Sequence, residues 1–413
     1  MKSLLLLLPV CLLLFACGES IPESKAGNAP FLWRGTLLMG PGKALPFTFQ
    51  WNPESDTPMV IHNGAERIPV LDVDIQTKGD SLRINMPVFE SYFLVNQGKD
   101  GWTGEWHDES RGPDYVIPFR ARPGALGRFF DEEAEQSFAA LPNRWATTFS
   151  AGTEDEYPAV AILEAEGDAL TGTFLTETGD YRYLEGQRRG DSLFLSAFDG
   201  AHAFLFTGKI TGDNIEGAFY SGTHWQEPWV AYADVNASLR AAESLTYLKP
   251  GYERLTFSFP STTGDTLRFP SEAYSGKVVI VQLLGSWCPN CMDETRLYAE
   301  WYDRYESRGV EFIGLAFERR PTMGDAIAAV EKMKKRLGAD YPMAVASLTT
   351  SKSTAAEKLP MLNAVLSFPT SIWLDKSGAV RRIHTGFNGP GTGELYDAFV
   401  AEYEGLMAEM LAE

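Results

Sequence analysis

Short segments of alternating apolar and polar residues run from Phe31 to about Leu239, separated by Gly, Pro, Asn and Asp. Alternation with a period of two predicts strands buried on one face, and the intervening residues predict tight turns. Helical periodicity is weak throughout this stretch. The pattern therefore predicts an all-β region built from small antiparallel barrels or sandwiches.

A weak internal repeat divides the β region into two related units. Gly-Asp-Ser-Leu occurs at 79–82 and again at 190–193, and in both places Gly-Asp is typical of a hairpin turn. Between the units, an acidic stretch with three phenylalanines at 129–140 predicts a short helix. The predicted organisation is a first β unit at 31–124, a connector at 125–142 and a second β unit at 143–245.

Aromatic and histidine residues of the β region do not define a site. The tryptophans admit two interpretations, as the lining of a ligand cleft or as core. The histidines lack the spacing of a metal site, and no nucleophile stands beside a base. The function of this region stays open. The residues concerned are Trp33, Trp51, Trp102, Trp106, Trp145, Trp225, Trp229, His62, His107, His202 and His224.

Beyond residue 245 the pattern changes to alternating strands and helices. The apolar run Val278–Leu284 predicts a strand buried on both faces, and it leads into Trp287-Cys288-Pro289-Asn290-Cys291. Pro289 suits the first turn of a helix that starts there. We predict an α/β domain over 246–413, with a sheet covered by helices on both faces. Further helices are predicted at 325–337, 354–362 and 393–411.

Composition supports an ordered protein and excludes one class of partner. Acidic residues outnumber basic ones by 55 to 36, which gives a formal charge of −19, so the surface repels phosphate backbones and nucleic-acid binding is not expected. With 44% hydrophobic and 22% charged residues, the chain is neither disordered nor a multi-span membrane protein.

The N-terminus predicts export. Lys2 precedes the apolar run from Leu4 to Ala16, which is too short to span a bilayer. The run ends in Leu-Phe-Ala-Cys-Gly and resembles the lipobox of bacterial lipoproteins, which implies cleavage before Cys17 and acylation of that residue; a simple signal peptide or an uncleaved anchor are the alternatives. The resemblance implies a signal at 1–17, a tether at 18–30 and, because Gly18 is not Asp, an outer-membrane location facing the periplasm.

The two cysteines of the C-terminal domain are three residues apart at a predicted helix start, within the reach of a disulfide. Free backbone N–H groups and the helix dipole stabilise a thiolate at Cys288, which predicts that Cys288 is the nucleophile and Cys291 the resolving thiol. A zinc site needs further ligands that the neighbourhood lacks, so no metal is predicted. A purely structural disulfide is disfavoured because its loop is so short.

Residues 250–413 resemble the TlpA/ResA-like thioredoxin-fold thiol-disulfide oxidoreductases of the periplasm. The resemblance rests on the CxxC after a buried strand and on Phe368-Pro369-Thr370 before a later one. It implies that Pro369 is a cis-proline beside the sulfurs. It also implies that Glu294 relays protons to the resolving thiol, although Glu294 could instead simply complement the helix dipole; Gln282 stands where many thioredoxins have a buried Asp. The substrate contacts implied are Trp287, Pro289, Asn290, Phe368 and Thr370.

The function predicted by these features is reduction of disulfides in exported proteins, with the β region recruiting the substrate. The like charges of Asp293 and Glu294 oppose a thiolate and favour a reducing couple. No cofactor is expected beyond the Cys288–Cys291 disulfide. The implied partners are exported proteins and a membrane thiol electron donor, and the resemblance implies cytochrome c maturation as one task. The alternatives are a thiol peroxidase, or a binding lipoprotein whose thioredoxin domain is vestigial.

Overall fold

The computed structural model describes residues 31–75, 81–124, 127–132 and 138–413. The predicted signal sequence, the acylation site Cys17 and the tether at 18–30 lie outside these residues. Within the described part of the chain, no helix is long and apolar enough to cross a membrane.

The first β unit is one antiparallel sheet of nine strands in the order β4-β3-β2-β1-β9-β8-β7-β6-β5. Side chains alternate between the interior and the solvent, as in β6, where Leu82 and Ile84 are buried. The strands are β1 (Phe31–Leu38), β2 (Ala44–Trp51), β3 (Met59–Asn63), β4 (Glu66–Val70), β5 (Asp72–Ile75), β6 (Ser81–Asn85), β7 (Ser91–Gly98), β8 (Gly101–Asp108) and β9 (Val116–Pro123).

The two outermost strands of this sheet are consecutive in the chain. Leu71 alone separates β4 from β5, and β4 pairs with β3 while β5 pairs with β6. One bent segment therefore serves both ends of the sheet, which wraps into a barrel around a core of aromatic side chains that includes Phe47, Phe93 and Phe119.

The second β unit is a closed ring of eight antiparallel strands. Pairing runs from β10 through β18, β17, β16, β15, β14 and β12 to β11, which pairs with β10; the short β13 pairs with β12. The strands are β10 (Arg144–Phe149), β11 (Tyr157–Glu166), β12 (Ala169–Thr176), β13 (Gly179–Asp180), β14 (Leu184–Arg189), β15 (Ser192–Phe198), β16 (Ala203–Thr211), β17 (Asn214–Ser221) and β18 (Trp225–Ala233).

The two barrels have equivalent strand orders at the predicted repeat. Ser81 begins β6 and Ser192 begins β15, and each strand is followed by three antiparallel neighbours that lead back to the first strand of its barrel. The barrels also pack on one another, since the ring centroids of Phe47 and Phe198 lie 4.6 Å apart. The prediction of two related barrel-like units is thereby confirmed.

The predicted helix in the connector is wrong for the residues that are described, because 129–132 and 138–140 are not helical; the remainder, 133–137, lies outside the described residues. The backbone N–H groups of Phe129 and Phe130 both donate to Gln187 Oε1 at 2.8 Å. These bonds to the second barrel replace the local bonds of a helix.

The C-terminal domain has the predicted α/β architecture. A two-stranded ribbon precedes a five-stranded sheet, and helices cover the sheet. The elements are β19 (Phe257–Pro260), β20 (Thr266–Phe269), β21 (Val278–Leu284), α1 (Pro289–Tyr305), β22 (Val310–Phe317), α2 (Met323–Leu337), β23 (Met343–Ser347), α3 (Lys352–Lys358), β24 (Thr370–Leu374), β25 (Val380–Thr385) and α4 (Glu394–Ala412).

The central strand of the five-stranded sheet leads into the CxxC motif at the start of helix α1. The order is β23-β22-β21-β24-β25, with β21 parallel to β22 and antiparallel to β24. Every residue of β21 is buried, as predicted from its apolar run.

The tryptophans of the β region divide between core and surface. Trp106, Trp145 and Trp229 are fully buried inside the barrels, which supports the core interpretation, whereas Trp225 is 49% exposed.

Candidate active site

Cys288 is the residue that precedes helix α1. It caps the helix with an extended backbone, and its Sγ accepts a hydrogen bond from the backbone N–H of Cys291 at 3.3 Å. Both cysteines are free thiols and both are buried. The helix therefore places its N-terminal dipole and a backbone N–H at the Cys288 sulfur, the arrangement that favours a thiolate.

A second loop meets the Cys288 sulfur from the other side. The peptide bond between Phe368 and Pro369 is cis, and the Cys288 thiol donates to the Phe368 carbonyl oxygen over 3.4 Å. Trp287 packs edge-on against Phe368 with ring centroids 6.0 Å apart, and its indole N–H donates to Phe317 O at 2.9 Å. The structure thus brings together Trp287, Cys288, Phe368 and Pro369 at one point.

Two further predicted contacts, Thr370 and Pro289, support this arrangement from the buried side. Thr370 is fully buried, and its hydroxyl donates to Ser367 O at 2.8 Å, which fixes the loop before Pro369. Pro289 is also buried and occupies the first position of α1. Of these two, only Pro289 lines the cavity described below.

Behind Cys291 lies a buried polar network centred on Glu294. Gln282 Nε2 donates to Glu294 Oε2 at 2.8 Å, and the Tyr298 hydroxyl donates to Oε1 at 3.0 Å. The same Gln282 amide lies 3.5 Å from Cys291 O. Burial raises the pKa of Glu294 to about 8, and burial followed by the hydrogen bond with Cys288 raises the pKa of the Cys291 thiol well above its ordinary value.

The charge argument for a reducing couple is wrong. Asp293 forms ion pairs with Arg182 at 2.6 Å and with Arg296 at 3.0 Å, so its charge is compensated. The raised pKa of Glu294 leaves that carboxyl protonated at neutral pH. Neither residue therefore opposes a thiolate by like charge, and local charge does not indicate the direction of the redox reaction.

The second barrel packs directly against the CxxC motif through the segment 177–180. Asn290, between the two cysteines, donates to Asp180 O and to Phe387 O, both at 3.3 Å. The Ser367 hydroxyl, two residues before Pro369, donates to Thr178 O at 2.8 Å. Gly179 lies so close to Asn290 that a Cβ would be 2.4 Å from its Nδ2. The β region is therefore part of the site.

Arg182 joins all three units. This buried side chain forms ion pairs with Glu66 of the first barrel, Asp199 of the second and Asp293 of helix α1. Asp180 supports the same junction, since its carboxylate accepts from Gly389 N at 2.6 Å and from Arg182 N at 2.5 Å. The barrels and the C-terminal domain are thus held in one arrangement by buried charges.

These contacts enclose a cavity of about 620 Å³ at the Cys288 sulfur. Its walls come from the first barrel, the second barrel and the C-terminal domain, and Cys288 itself is only 5% exposed. The wall residues that matter below are Asp108, Arg111, Glu177, Asp180, Arg319 and Lys352.

Sequence reasoning missed the residues that bring the β region to the site. Arg182, Asp180 and Thr178 stand in an ordinary turn with no motif around them. Glu318 was also missed, although it receives hydrogen bonds of 2.7 Å from both the backbone N–H and the hydroxyl of Ser286 and so fixes the loop before Cys288. Its position at the end of an apolar strand, after Phe317, was the one available signal.

Comparison with known proteins agrees with the geometry. Residues 249–399 match the family described as Redoxin. The C-terminal region is a redoxin domain. The thiol-disulfide oxidoreductase ResA of Geobacillus kaustophilus is 30% identical over 115 residues, which cover 27% of this chain and 57% of that protein. ResA of Bacillus subtilis is 24% identical over 157 residues, covering 38% and 77%. The redoxin domain is thus ResA-like, and the chain spans little more than half of the first relative.

Among solved structures, a thioredoxin-family thiol:disulfide interchange protein from Chlorobium tepidum is similar to this chain at 21% identity, with a TM-score of 0.30. The similarity covers 38% of this chain and 95% of that one.

Proposed function

We propose that the protein is a thiol-disulfide oxidoreductase that works through Cys288 and Cys291. The observation that carries the proposal is the position of the Cys288 sulfur, 3.3 Å from the Cys291 backbone N–H at the start of a helix and 3.4 Å from the carbonyl before Pro369. A sulfur held there lines the cavity and is set up for thiolate chemistry.

The proposed reaction consists of two thiol-disulfide exchange steps. The Cys288 thiolate attacks one sulfur of a substrate disulfide, so that a mixed disulfide forms and the other substrate sulfur leaves as a thiolate. Cys291 then loses its proton and attacks Cys288 Sγ, which releases the second substrate sulfur. The substrate gains two electrons and two protons, and the enzyme is left with a Cys288–Cys291 disulfide.

Glu294, in the deprotonated fraction that grows as the pH rises toward its pKa of about 8, is the group proposed to accept the Cys291 proton. Burial keeps Cys291 in its thiol form at neutral pH, so the second step needs a base on the buried side. Glu294, with a pKa of about 8 and a fixed orientation between Gln282 and Tyr298, can hold or release a proton in that range.

The test uses full-length protein in detergent. The protein is first reduced with dithiothreitol, and the dithiothreitol is then removed. Reduction of a short peptide disulfide is expected for the wild type and absent for Cys288→Ser. Cys291→Ser is expected to accumulate a mixed disulfide visible as the added peptide mass. Turnover by Cys288→Ser at the wild-type rate would overturn the proposal, and would point to a binding protein with a vestigial domain.

The cellular setting proposed is the periplasmic face of the outer membrane, through acylation of Cys17. Exported proteins would be the substrates, and a membrane thiol carrier would return electrons, with cytochrome c maturation as one task. Labelling with a palmitate analogue and fractionation test the anchor, because Cys17→Ala is expected to lose both the label and membrane association. A reduction potential of about −270 mV would support a reductant, whereas one of about −120 mV would indicate an oxidant.

A further inference from the structure

The route to the Cys288 sulfur limits what can react with it. Thioredoxin-like domains that act on folded proteins need an open surface around the sulfur, but here Asn290 and Ser367 on either side of it are in contact with the barrel segment 177–180. What remains is the cavity of about 620 Å³, a volume typical of sites for small ligands. We therefore expect a substrate disulfide to reach the sulfur only as part of a small molecule or an extended peptide.

The carboxylates in the cavity wall are already bonded within the protein. Asp108 forms an ion pair with Arg111 at 3.1 Å, and Glu177 binds Arg240 through two contacts of 2.6 Å. Asp180 accepts from two backbone N–H groups, and burial raises its pKa to about 6. The carboxylates of Asp108 and Glu177 are thus paired with arginines, and that of Asp180 is directed toward backbone N–H groups within the protein.

The cations in the same wall are not compensated in this way. Arg319 and Lys352 form no ion pair with any described residue, and both are exposed residues of the cavity wall, although partial burial lowers the pKa of Lys352 from its ordinary value. Arg319 lies over the Trp287 ring, 5.4 Å from its centroid, next to Cys288. Nearby, the pKa of His224 is lowered to about 4, first by burial and then by cations that include Arg111 and Arg319. Arg319 and Lys352 thus bring two cations without an ion-pair partner among the described residues to this cavity, in a chain of net charge −19.

We infer that this cavity selects disulfides of short or unfolded peptides that have carboxylates beside the cysteine. This inference rests on the function proposed above. Arg319 and Lys352 would bind those carboxylates while the peptide sulfur meets Cys288. The same chemistry exists in a free acidic peptide of the size of glutathione and in an unfolded acidic segment of an exported protein, and the test separates these two sources.

Single-turnover reduction by the pre-reduced, full-length protein measures the selectivity. The substrates are three mixed-disulfide peptides of equal length in which the cysteine is flanked by Glu, Ser or Lys. The Glu peptide is expected to react about fivefold or more faster than the Lys peptide, and the ratio is expected to fall in high salt. Equal rates for the two peptides would overturn the inference while leaving the proposed function intact; reduction of none of them would overturn the proposed function itself.

Two variants assign the selectivity to the named cations. In the double variant Arg319→Ala and Lys352→Ala the Glu-to-Lys ratio is expected to fall to about one, because the Glu peptide loses its two cationic partners. The matched control removes two exposed cations elsewhere, Arg308→Ala and Lys99→Ala, and is expected to keep the wild-type ratio. A ratio that falls equally in both would refute a local role.

The size of the molecule that contains the disulfide is tested with three acidic disulfides. They are glutathione disulfide, a disulfide in a 40-residue unfolded peptide and a disulfide on the surface of a folded protein. Fast reaction of glutathione disulfide alone identifies a free small substrate, and fast reaction of both flexible carriers identifies an unfolded segment. The folded carrier is expected to react at least tenfold more slowly. An equal rate for the folded carrier would overturn the size restriction.

Discussion

Arg182 Nη1 and Asp293 Oδ2 lie 2.6 Å apart and join the second barrel to the helix that begins at the active-site cysteines. The two residues are 111 positions apart in the chain, and both side chains are about 10% exposed. The pair makes the geometry of the CxxC motif depend on the β region. Replacing Arg182 therefore tests that dependence.

Replacing Arg182 with Met is expected to destabilise the protein by about 3 kcal/mol. The substitution keeps an apolar stem of similar length but leaves Glu66, Asp199 and Asp293 without their shared cation, and breaking a buried pair on one side typically costs about 3–5 kcal/mol. The thermal midpoint measures the loss, and faster alkylation of Cys288 by iodoacetamide is expected with it.

Arg381→Met is the matched control for this variant. Arg381 also contacts three carboxylates, those of Asp375, Glu409 and Glu413, but at the solvent-exposed end of helix α4. Solvent screening makes such pairs weak, so only a small change in the midpoint is expected. Equal losses in the two variants would contradict a special role for the buried junction.

Gly179→Ala is expected to separate the barrel segment from the CxxC motif. The new Cβ would lie 2.4 Å from Asn290 Nδ2, and the backbone has φ of +137°, which an L side chain rarely adopts. Gly40→Ala is the control, since its φ of +127° brings similar strain but no atom lies within 4 Å. Alkylation of Cys288 is expected to accelerate severalfold in the first variant only. No acceleration would mean that segment 177–180 does not limit access.

The pKa of Glu294 predicts the pH dependence of stability. The folded-state pKa of about 8 lies above the ordinary value of 4.5, so the folded protein binds this proton more tightly than the unfolded chain does. Stability is therefore expected to fall as the pH rises from about 4.5 through 8, at up to about 1.4 kcal/mol per pH unit from this group.

Glu294→Gln is expected to remove this part of the decline, which thermal midpoints between pH 4 and 9 measure. It is also expected to slow the release of substrate from the mixed disulfide and to abolish the rise of that step with pH. The surface variant Glu409→Gln keeps the wild-type profile. A wild-type profile in Glu294→Gln as well would exclude Glu294 as the titrating group.

The redoxin domain could be predicted because its signals are local in sequence. Strand β21, the two cysteines and the first turn of α1 are consecutive, and each has a distinctive residue pattern. Glu294 is three residues beyond Cys291, so helical geometry alone places it on the buried side; its pKa could not be predicted, since it depends on burial and on Gln282, twelve residues earlier. The cis geometry at Pro369 was implied by family resemblance.

The walls of the cavity could not be predicted for the opposite reason. The bond from Asn290 to Asp180 spans 110 residues, and that from Ser367 to Thr178 spans 189. Turn residues such as these have the composition of any surface turn, and their partners are set by how the barrels dock. Periodicity shows which face of a strand is buried, but it contains no information about which neighbouring unit covers a loop.

The closed strand order of the second barrel has a consequence for its contacts with extended polypeptides. Each of its eight long strands has a hydrogen-bonded neighbour on both sides, so this barrel leaves no long row of unpaired N–H and C=O groups. An extended polypeptide segment therefore cannot bind to this barrel by pairing with it as a further strand. The barrel can therefore border the active site without offering an edge at which other chains could add as strands and aggregate.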